Sequence, residues 1–201
     1  MAVNSLNLIM GAAINRKEDR EENDYYKTDP KALEVFLDKL KEDGIKLSEN
    51  VWEPACGDCG LSDVLNKRGY NVFSSDIVNR GSMLQHLTID FFNMNEEWDG
   101  DILTNPPFKY AVEFIQHGLE LVKDGRYVIM FLKIHFLETQ DRYDRLFSKG
   151  GLRYVYLFSN RARTAMNGDF DKYRMASPTF YMWGIWEKGF KGEPTIRWIH
   201  K

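Results

Sequence analysis

Hydrophobic positions along the chain follow two periods, one typical of helices and one typical of buried strands. Leu33, Phe36 and Leu40 recur at helical spacing after Asp29 and Pro30, a pair typical of a helix start. Further helices are predicted from about 61 to 68 and from about 110 to 122, and another ends near 147. Strands are predicted at 51–53, 70–75, 101–104, 127–132, 152–158, 179–186 and 195–199.

Strands and helices alternate through most of the chain, which predicts an α/β fold with a mostly parallel, doubly wound sheet. The run 127–132 is almost wholly apolar, as expected for a strand buried on both faces. The last two strands, separated by a turn around 189–192, predict a C-terminal antiparallel hairpin. Such sheets bind ligands at the carboxyl ends of their strands, which directs attention to the segments that follow the predicted strands.

Length and composition limit the possible classes of protein. The chain has 201 residues, 43% of them hydrophobic, and a net charge of −3, which fits one globular domain and excludes a histone-like condenser of nucleic acid. It contains no apolar run long enough to span a membrane, and the stretch 6–14 is too short and interrupted for a signal peptide. We therefore expect a cytoplasmic protein with a mobile, charged N-terminal arm at 1–24 and a single domain at 25–201.

The two cysteines are too few for a disulfide framework but form a Cys-x-x-Cys motif, Cys56 to Cys59, between a strand and a helix. Two interpretations are open: a thioredoxin-like redox pair, or two small residues that pack a tight turn, which we favour. Zinc is not expected, because there is no second cysteine pair and the four histidines lack ligand spacing. No other metal site is predicted.

A nucleoside site is indicated by a glycine-containing turn and a later acidic residue. Gly57 and Gly60 follow the first predicted strand of the sheet and permit close approach of the backbone to a ligand. Asp76 ends the next strand, 76 − 57 = 19 residues on. That spacing is typical of an acid that binds the ribose hydroxyls of a bound nucleoside. Alone, the pattern does not distinguish nucleoside binding from an ordinary turn and helix cap.

The most specific motif is Asn105-Pro106-Pro107-Phe108, directly after a predicted strand. The prolines stop the strand and fix the backbone. Asn105 Oδ1 and the Pro106 carbonyl can each accept one hydrogen of an exocyclic amine, while Phe108 stacks on the ring that carries it. Without the nucleoside pattern upstream, a strand-terminating turn with an anchoring Phe would be the favoured explanation; with that pattern, binding of an exocyclic amine is favoured.

Together, Glu53-Pro54-Ala55-Cys56-Gly57, Asp76 and Asn105-Pro106-Pro107-Phe108 resemble the ordered motifs of S-adenosylmethionine-dependent DNA adenine methyltransferases. The resemblance covers about residues 25–199 and is strongest to short bacteriophage and prophage members. It implies a Rossmann-like class I methyltransferase fold, S-adenosylmethionine as cofactor, and Asn105, Pro106, Pro107 and Phe108 as catalytic residues. The cofactor residues it implies are Tyr26, Thr28, Glu53, Pro54, Ala55, Gly57, Asp76, Ile77, Asp90 and Phe91, with Tyr25 less certain.

The chain departs from the family pattern at two positions. Cys59 stands where the family usually has a second glycine, which bears on the conformation of the turn and on cofactor affinity. Asp29 is inserted where the family often joins Thr directly to Pro. The implied reaction is transfer of a methyl group to the exocyclic amine of adenine in DNA. RNA adenine, a protein glutamine amide, or a catalytically silent cofactor-binding protein are the alternatives.

Nucleic acid, most simply DNA, is the expected partner, and the loop 159–178 is the candidate for target recognition. From Arg153 to Arg174 the chain carries five basic and two acidic residues, a net of 5 − 2 = +3. Candidate contacts to nucleic acid are Arg161, Arg163, Lys172 and Arg174. An ordinary solvated loop is the competing interpretation. We expect a monomer or a homodimer. The small recognition surface of a monomer predicts a short or relaxed target sequence, and a dimer could recognise a longer one.

Overall fold

The computed structural model describes residues 26–159, 164–166 and 179–200, so the predicted arm at 1–24 and most of the loop 159–178 lie outside the described residues. The strands are β1 Tyr26–Thr28, β2 Asn50–Glu53, β3 Asn71–Asp76, β4 Leu87–Thr88, β5 Asp101–Thr104, β6 Tyr127–Lys133, β7 Leu152–Phe158, β8 Thr164–Met166, β9 Tyr181–Glu187 and β10 Thr195–Ile199. The helices are α1 Pro30–Glu42, α2 Gly60–Lys67, α3 Ala111–Leu121 and α4 Gln140–Arg145. Single 3₁₀ turns lie at Phe91–Asn93, Phe108–Tyr110, Ile134–Leu137 and Phe147–Lys149.

Within the described residues, eight strands form one sheet in the order β10, β7, β9, β6, β5, β2, β3, β4. Only β9 runs antiparallel to its neighbours; every other pairing in this sheet is parallel. β1 and β8 form a separate antiparallel pair. The predicted mostly parallel α/β sheet is confirmed. None of the helices in this part of the chain is long and apolar enough to cross a membrane.

Helices cover both faces of the sheet because successive side chains of its central strand point to opposite sides. Ile129 and Phe131 of β6 pack on one face with α1 and α2. Val128 and Met130 pack on the other face with α3. All four side chains are fully buried. The near-continuous apolar run that predicted a doubly covered strand therefore supplies the two halves of the core.

The order of the strands reverses direction at β2. From β2 the chain passes through α2 to β3 and then β4 on one side, and returns to add β5 and β6 on the other. At such a switch point the connections on the two sides diverge and leave a crevice at the carboxyl ends of the strands. Glu53, Asp76 and Asn105 lie at the ends of β2, β3 and β5, next to that crevice.

The C-terminal part confirms the predicted antiparallel strand but corrects its partner. β9 pairs antiparallel with β6 on one side and β7 on the other. β10 lies beyond β7 and runs parallel to it, so 179–186 and 195–199 do not pair with each other. Burial explains the difference. Six of the seven β9 residues are buried and suit the middle of a sheet, whereas most β10 side chains are exposed, as at an edge.

Removal of the Asp29 cap is expected to destabilise the fold. The Asp29 side chain accepts a hydrogen bond from the Lys31 backbone N–H at 3.0 Å. This N–H lies in the first turn of α1, where the helix itself provides no acceptor for it. The substitution Asp29→Ala should lower the free energy of unfolding by about 1 kcal/mol, measured by urea denaturation. The exposed Asp124 provides the control, Asp124→Ala. Equal stability of both variants would contradict the capping role.

Candidate functional site

The carboxyl ends of β2, β3 and β5 open into a cavity of about 480 Å³. That volume lies within the range of about 300–1,000 Å³ typical of small-molecule sites. The residues predicted from the sequence that line it are Thr28, Glu53, Pro54, Ala55, Asp76, Ile77, Asp90, Phe91, Asn105, Pro106, Pro107 and Phe108. Glu53 and Asn105, which are 52 positions apart in the chain, thus share one crevice, because the parallel strands β2 and β5 end at the same edge of the sheet.

The remaining predicted residues either lie near the cavity without lining it or fall wholly or partly outside the described residues. Gly57 does not line the cavity itself but lies in the loop that does, and its backbone N–H points to Asp76. Tyr26 lies in β1, opposite Met166 of β8. The Tyr25 residue and the side chain of Tyr26 lie outside the described part of the chain, as do Arg161, Arg163, Lys172 and Arg174.

The turn after β2 depends on two residues with left-handed backbone conformations. Gly57 has φ +56° and Cys59 has φ +66°. Glycine adopts this conformation readily, whereas a residue with a Cβ pays about 1–2 kcal/mol. The Cys59 N–H donates to the Cys56 carbonyl at 2.7 Å, which closes the turn. Cys59 therefore adopts a backbone conformation that glycine would adopt at lower energetic cost.

Asp76 connects the turn to the end of β3. Its Oδ2 accepts a hydrogen bond from the Gly57 N–H at 2.8 Å, and its Oδ1 accepts one from the Val78 N–H at 2.9 Å. The side chain is 8% exposed and borders the cavity. The next residue, Ile77, is 58% exposed and offers an apolar surface beside it. The Asp76 carboxylate thus accepts two backbone hydrogen bonds and lies next to the exposed apolar side chain of Ile77. This arrangement suits a ligand with hydroxyl groups next to a flat ring.

Glu53, at the end of β2, is a buried acid within the site. Its Oε2 accepts hydrogen bonds from the backbone N–H and the hydroxyl of Ser62, and the Ser62 hydroxyl also bonds that of Ser74 at 2.6 Å. Burial raises the pKa of Glu53 well above its ordinary value. The hydrogen bonds from Ser62 act in the opposite direction but do not offset the loss of solvation. Glu53 thus joins β2 to α2 under the cavity.

Asn105 follows β5 and is oriented by Thr28, a residue of β1 that also lines the cavity. Its Nδ2 donates to Thr28 Oγ1 at 3.0 Å, across 77 positions of the chain. This bond fixes the orientation of the Asn105 side-chain amide, because Nδ2 points to Thr28 and Oδ1 occupies the other branch of the amide. Pro106 and Pro107 fix the backbone that follows, and the Pro107 carbonyl accepts from the Tyr110 N–H at 2.9 Å.

Phe108 lines the same cavity as Asn105 and is part of an aromatic and cationic surface. The ring centroids of Phe108 and Tyr181 are 6.2 Å apart, and the Lys133 Nζ lies 4.6 Å from the Phe108 centroid. Tyr181 belongs to β9 and Lys133 to the end of β6. The ring is therefore held by the central strands of the sheet rather than by the loop alone. Preorganised amide oxygens next to a fixed ring can position a planar group that carries an amine.

Several residues that line the cavity were not predicted from the sequence. Phe92 and Phe114 pack edge to face with ring centroids 5.1 Å apart, and Tyr110, 45% exposed, extends the same wall. The others are Lys27, Cys56, Asp58, Leu61, Arg80 and Lys109; Gly60, expected beside a ligand from the glycine turn, lines the cavity as well. The available signal was proximity, since each lies within six residues of a predicted site residue, but side-chain direction cannot be read from spacing alone.

The two cysteines are buried free thiols, with exposures of 4% for Cys56 and 1% for Cys59. Cys56 lines the cavity, whereas Cys59 is not one of its lining residues and directly precedes α2. In the described part of the chain, no group of three or more His, Cys, Asp or Glu side chains is arranged to hold a metal ion. The packing interpretation of the motif thus agrees with the burial of both thiols.

Comparison with solved structures identifies the fold. A candidate class I S-adenosylmethionine-dependent methyltransferase from Listeria monocytogenes superimposes with a TM-score of 0.60 at 16% identity, over 96% of this chain and 72% of the other. The type IIG restriction endonuclease BpuSI gives 0.58 at 16% identity over 90% of this chain, which spans 27% of that enzyme. A candidate RNA methyltransferase, PH1948 from Pyrococcus horikoshii, gives 0.53 at 15% identity, over 90% and 97% of the two chains.

At this level of identity, the likeness establishes the fold alone. The chain has the Rossmann-like fold of class I methyltransferases, as the sequence predicted. No protein-family model and no curated protein sequence matches the chain.

The raised pKa of Glu53 predicts a pH dependence of stability that Glu53→Gln removes. In the unfolded chain Glu53 releases its proton near pH about 4.3. Above that pH, and up to the raised folded-state pKa, the folded protein binds more protons than the unfolded one, so this group's contribution to stability falls as pH rises. Glutamine stays neutral, so the stability of Glu53→Gln relative to the wild type should increase with pH across that window.

Urea denaturation at a series of pH values measures this difference. The exposed Glu120 provides the matched control, Glu120→Gln, whose stability should follow that of the wild type. If the pH profiles of Glu53→Gln and the wild type run parallel, Glu53 titrates in the folded protein as it does in the unfolded chain, and the argument from burial is wrong.

Proposed function

We propose that the chain is an S-adenosylmethionine-dependent methyltransferase that methylates the exocyclic N6 amine of adenine in DNA. The observation that carries the proposal is the position of Asn105-Pro106-Pro107-Phe108 on the same cavity as Asp76 and the glycine turn. A cavity that binds the nucleoside part of a cofactor and an acceptor amine side by side is suited to a reaction between the two ligands. The class I methyltransferase fold supports the choice of cofactor.

The lining of the cavity fits S-adenosylmethionine part by part. Asp76 would hold the ribose hydroxyls, with Ile77, Asp90 and Phe91 around the adenine. The residues assigned to the methionine part are Tyr26, Thr28, Glu53, Pro54, Ala55 and Gly57. When bound, the cofactor supplies an electrophilic methyl group on a sulfonium sulfur. An apolar platform next to a held carboxylate matches the adenosine part of such a ligand.

The acceptor amine would be positioned by the Asn105 motif. Asn105 Oδ1 and the Pro106 carbonyl would each accept one amine hydrogen, which directs the nitrogen lone pair away from the ring and toward the methyl group. The same two oxygens stabilise the positive charge that develops on nitrogen in the transition state. Phe108 stacks on the target base. No covalent intermediate with the protein is required, so no nucleophilic side chain is needed.

A base inside a duplex must leave the stack to reach this motif, at a cost of about a few kcal/mol. Aromatic side chains of the cavity offer stacking surface that offsets this cost, since Phe92, Tyr110 and Phe114 line it together with Phe108. Arg161, Arg163, Lys172 and Arg174 remain the proposed contacts to the DNA backbone. The fold is compatible with either nucleic acid, since the structures similar to this chain include a restriction endonuclease, BpuSI, and a candidate RNA methyltransferase.

Transfer of a labelled methyl group distinguishes these substrates. One DNA fragment is amplified with dATP or with its N6-methylated analogue, and RNA of the same sequence is transcribed. We expect label in the dATP product only. Label in the RNA alone would favour the RNA alternative, and label in a protein fraction would favour a glutamine amide. Equal label in both DNA products would exclude the adenine amine as the acceptor.

Replacement of Asn105 separates catalysis from cofactor binding. Asn105→Ala removes one of the two acceptors for the amine, so we expect kcat to fall by about 100- to 1,000-fold. The Kd for S-adenosylmethionine, measured by calorimetry, should change far less than kcat, because Asn105 is assigned to the acceptor and is linked to the cofactor residues through its hydrogen bond to Thr28. The matched control is Asn95→Ala at an exposed asparagine. Undiminished methylation by Asn105→Ala would refute the mechanism.

An ion pair at the edge of the cavity is suited to the amino-acid end of the cofactor. The Lys27 Nζ lies 2.5 Å from Asp58 Oδ2, and both residues line the cavity next to the glycine turn. The methionine part carries one ammonium and one carboxylate. Lys27 would take the carboxylate and Asp58 the ammonium, so each charge keeps an opposite partner when the ligand inserts. No net charge needs to be buried in this exchange.

The ion pair predicts a ligand-dependent effect of Lys27→Met. Affinity for S-adenosylmethionine should fall by about tenfold, the loss of one charged hydrogen bond. Affinity for 5′-methylthioadenosine, which lacks the amino acid, should not change. Lys67→Met is the matched control, since Lys67 forms a comparable ion pair with Asp63 at 2.6 Å on the exposed side of α2. An equal loss for both ligands would contradict the assignment.

A further inference from the structure

A lysine ammonium lies beside the ring that is assigned to the target base. The Lys133 Nζ is 4.6 Å from the centroid of the Phe108 ring, above its plane. Lys133 is the last residue of β6 and is half-buried, whereas the five residues before it are all buried. Phe108 lines the cavity and Lys133 does not, so the ammonium lies at the border of the cavity, next to the ring.

The central strands of the sheet fix the position from which this lysine extends. Lys133 pairs with Tyr181 in the antiparallel ladder between β6 and β9. The Tyr181 ring stacks on that of Phe131, with centroids 5.0 Å apart and an angle of 7° between the planes. Phe131 and Lys133 lie on the same face of β6, because alternate residues of a strand share a face. The Lys133 backbone is therefore held by the core, while its four-carbon side chain lets the ammonium move toward a ligand.

The charges around the cavity differ between its two halves. The half assigned to the cofactor carries both signs, and all the acidic residues that line the cavity belong to it: Glu53, Asp58, Asp76 and Asp90. The segment 105–110, which forms the half assigned to the target base, contains one lysine, Lys109, and no acidic residue. Together with Lys133, this half carries two positive charges close to Phe108. It is therefore suited to a substrate with negative groups.

A base stacked on Phe108 would bring its own phosphate close to Lys133. Carbon atoms of stacked rings are about 3.5–4.0 Å apart, so the base and the ammonium would be neighbours on the same ring. The base enters the cavity, but its phosphates stay in the DNA backbone, at the border where Lys133 lies. An ammonium donates hydrogen bonds and accepts none, so it cannot hold the hydrogens of the target amine. A phosphate oxygen offers it both an acceptor and an opposite charge.

We propose that Lys133 binds a backbone phosphate of the nucleotide whose base stacks on Phe108, and so holds the extruded nucleotide in the site. The inference rests on the proposed function for DNA as the substrate. Without DNA, the ammonium lies over the Phe108 ring; when the nucleotide binds, it exchanges this contact for a phosphate oxygen. The alternative is a structural role, in which Lys133 only supports the ring and does not contact DNA.

The salt dependence of DNA binding distinguishes a phosphate contact from structural support. The probe is a fluorescent DNA duplex with one adenine opposite an abasic position, since an unpaired base costs less to extrude. The Kd is measured by fluorescence anisotropy at a series of sodium chloride concentrations. S-adenosylhomocysteine, the cofactor without its methyl group, is present throughout. Each phosphate contact contributes about 0.9 to the slope of log Kd against log salt concentration, because it releases counterions.

Lys133→Met removes the charge but keeps an unbranched side chain, so we expect it to reduce the slope by about 0.9. Lys133→Gln is a second neutral variant with the same expectation, and the melting temperature of each variant checks its folding. Lys133→Arg keeps the charge and should retain the wild-type slope. The matched control is Lys46→Met. Lys46 is exposed and precedes β2, at the opposite end of the strands from the crevice, so its slope should equal that of the wild type.

An unchanged slope in folded Lys133→Met or Lys133→Gln overturns the proposal, even if the variant binds DNA more weakly, because loss of ring support alone would produce that result. An equal fall in slope for Lys46→Met also overturns it, since the effect would then reflect net charge rather than a contact. Failure of the wild type to bind the duplex is a separate result, which overturns the proposed function and this inference with it.

Discussion

The hydrogen bonds to the Asp76 carboxylate hold the candidate site together. Two backbone amides, Gly57 at 2.8 Å and Val78 at 2.9 Å, converge on the two oxygens of one side chain at the end of β3. The first amide belongs to the turn after β2, so the carboxylate sets the distance between two strand ends. Because an unpaired buried carboxylate would be costly, these bonds stabilise both the turn and the charge. A ligand that meets Asp76 therefore finds it already oriented.

The sequence predicted the parts of the structure that depend on local patterns. The Asp29 cap, the central strand at 127–132 and the turn around Gly57 follow from residue types at fixed spacing, and the structure has each of them. Parallel strands end at one edge of a sheet, and this rule explains how Asp76 and Asn105 could be assigned to one crevice. Their roles stay predictions until a ligand is bound.

What the sequence could not supply are pairings between distant segments. The position of β9 between β6 and β7 depends on how much apolar surface each strand buries, which is a property of the whole sheet. The Thr28–Asn105 bond and the Lys27–Asp58 pair join segments 77 and 31 positions apart. Neither follows any periodicity. Both contacts depend on β1, which lies outside the main sheet and contributes Lys27 and Thr28 to the lining of the cavity.

The account depends most on the claim that the cavity is a cofactor site held by Asp76. Calorimetric titration with S-adenosylmethionine tests it directly, with Asp76→Ala compared with the exposed Asp124→Ala. The account predicts saturable binding by the wild type and by Asp124→Ala, and a Kd at least about tenfold weaker for Asp76→Ala. No binding by the wild type at millimolar cofactor, or equal binding by both variants, would contradict it.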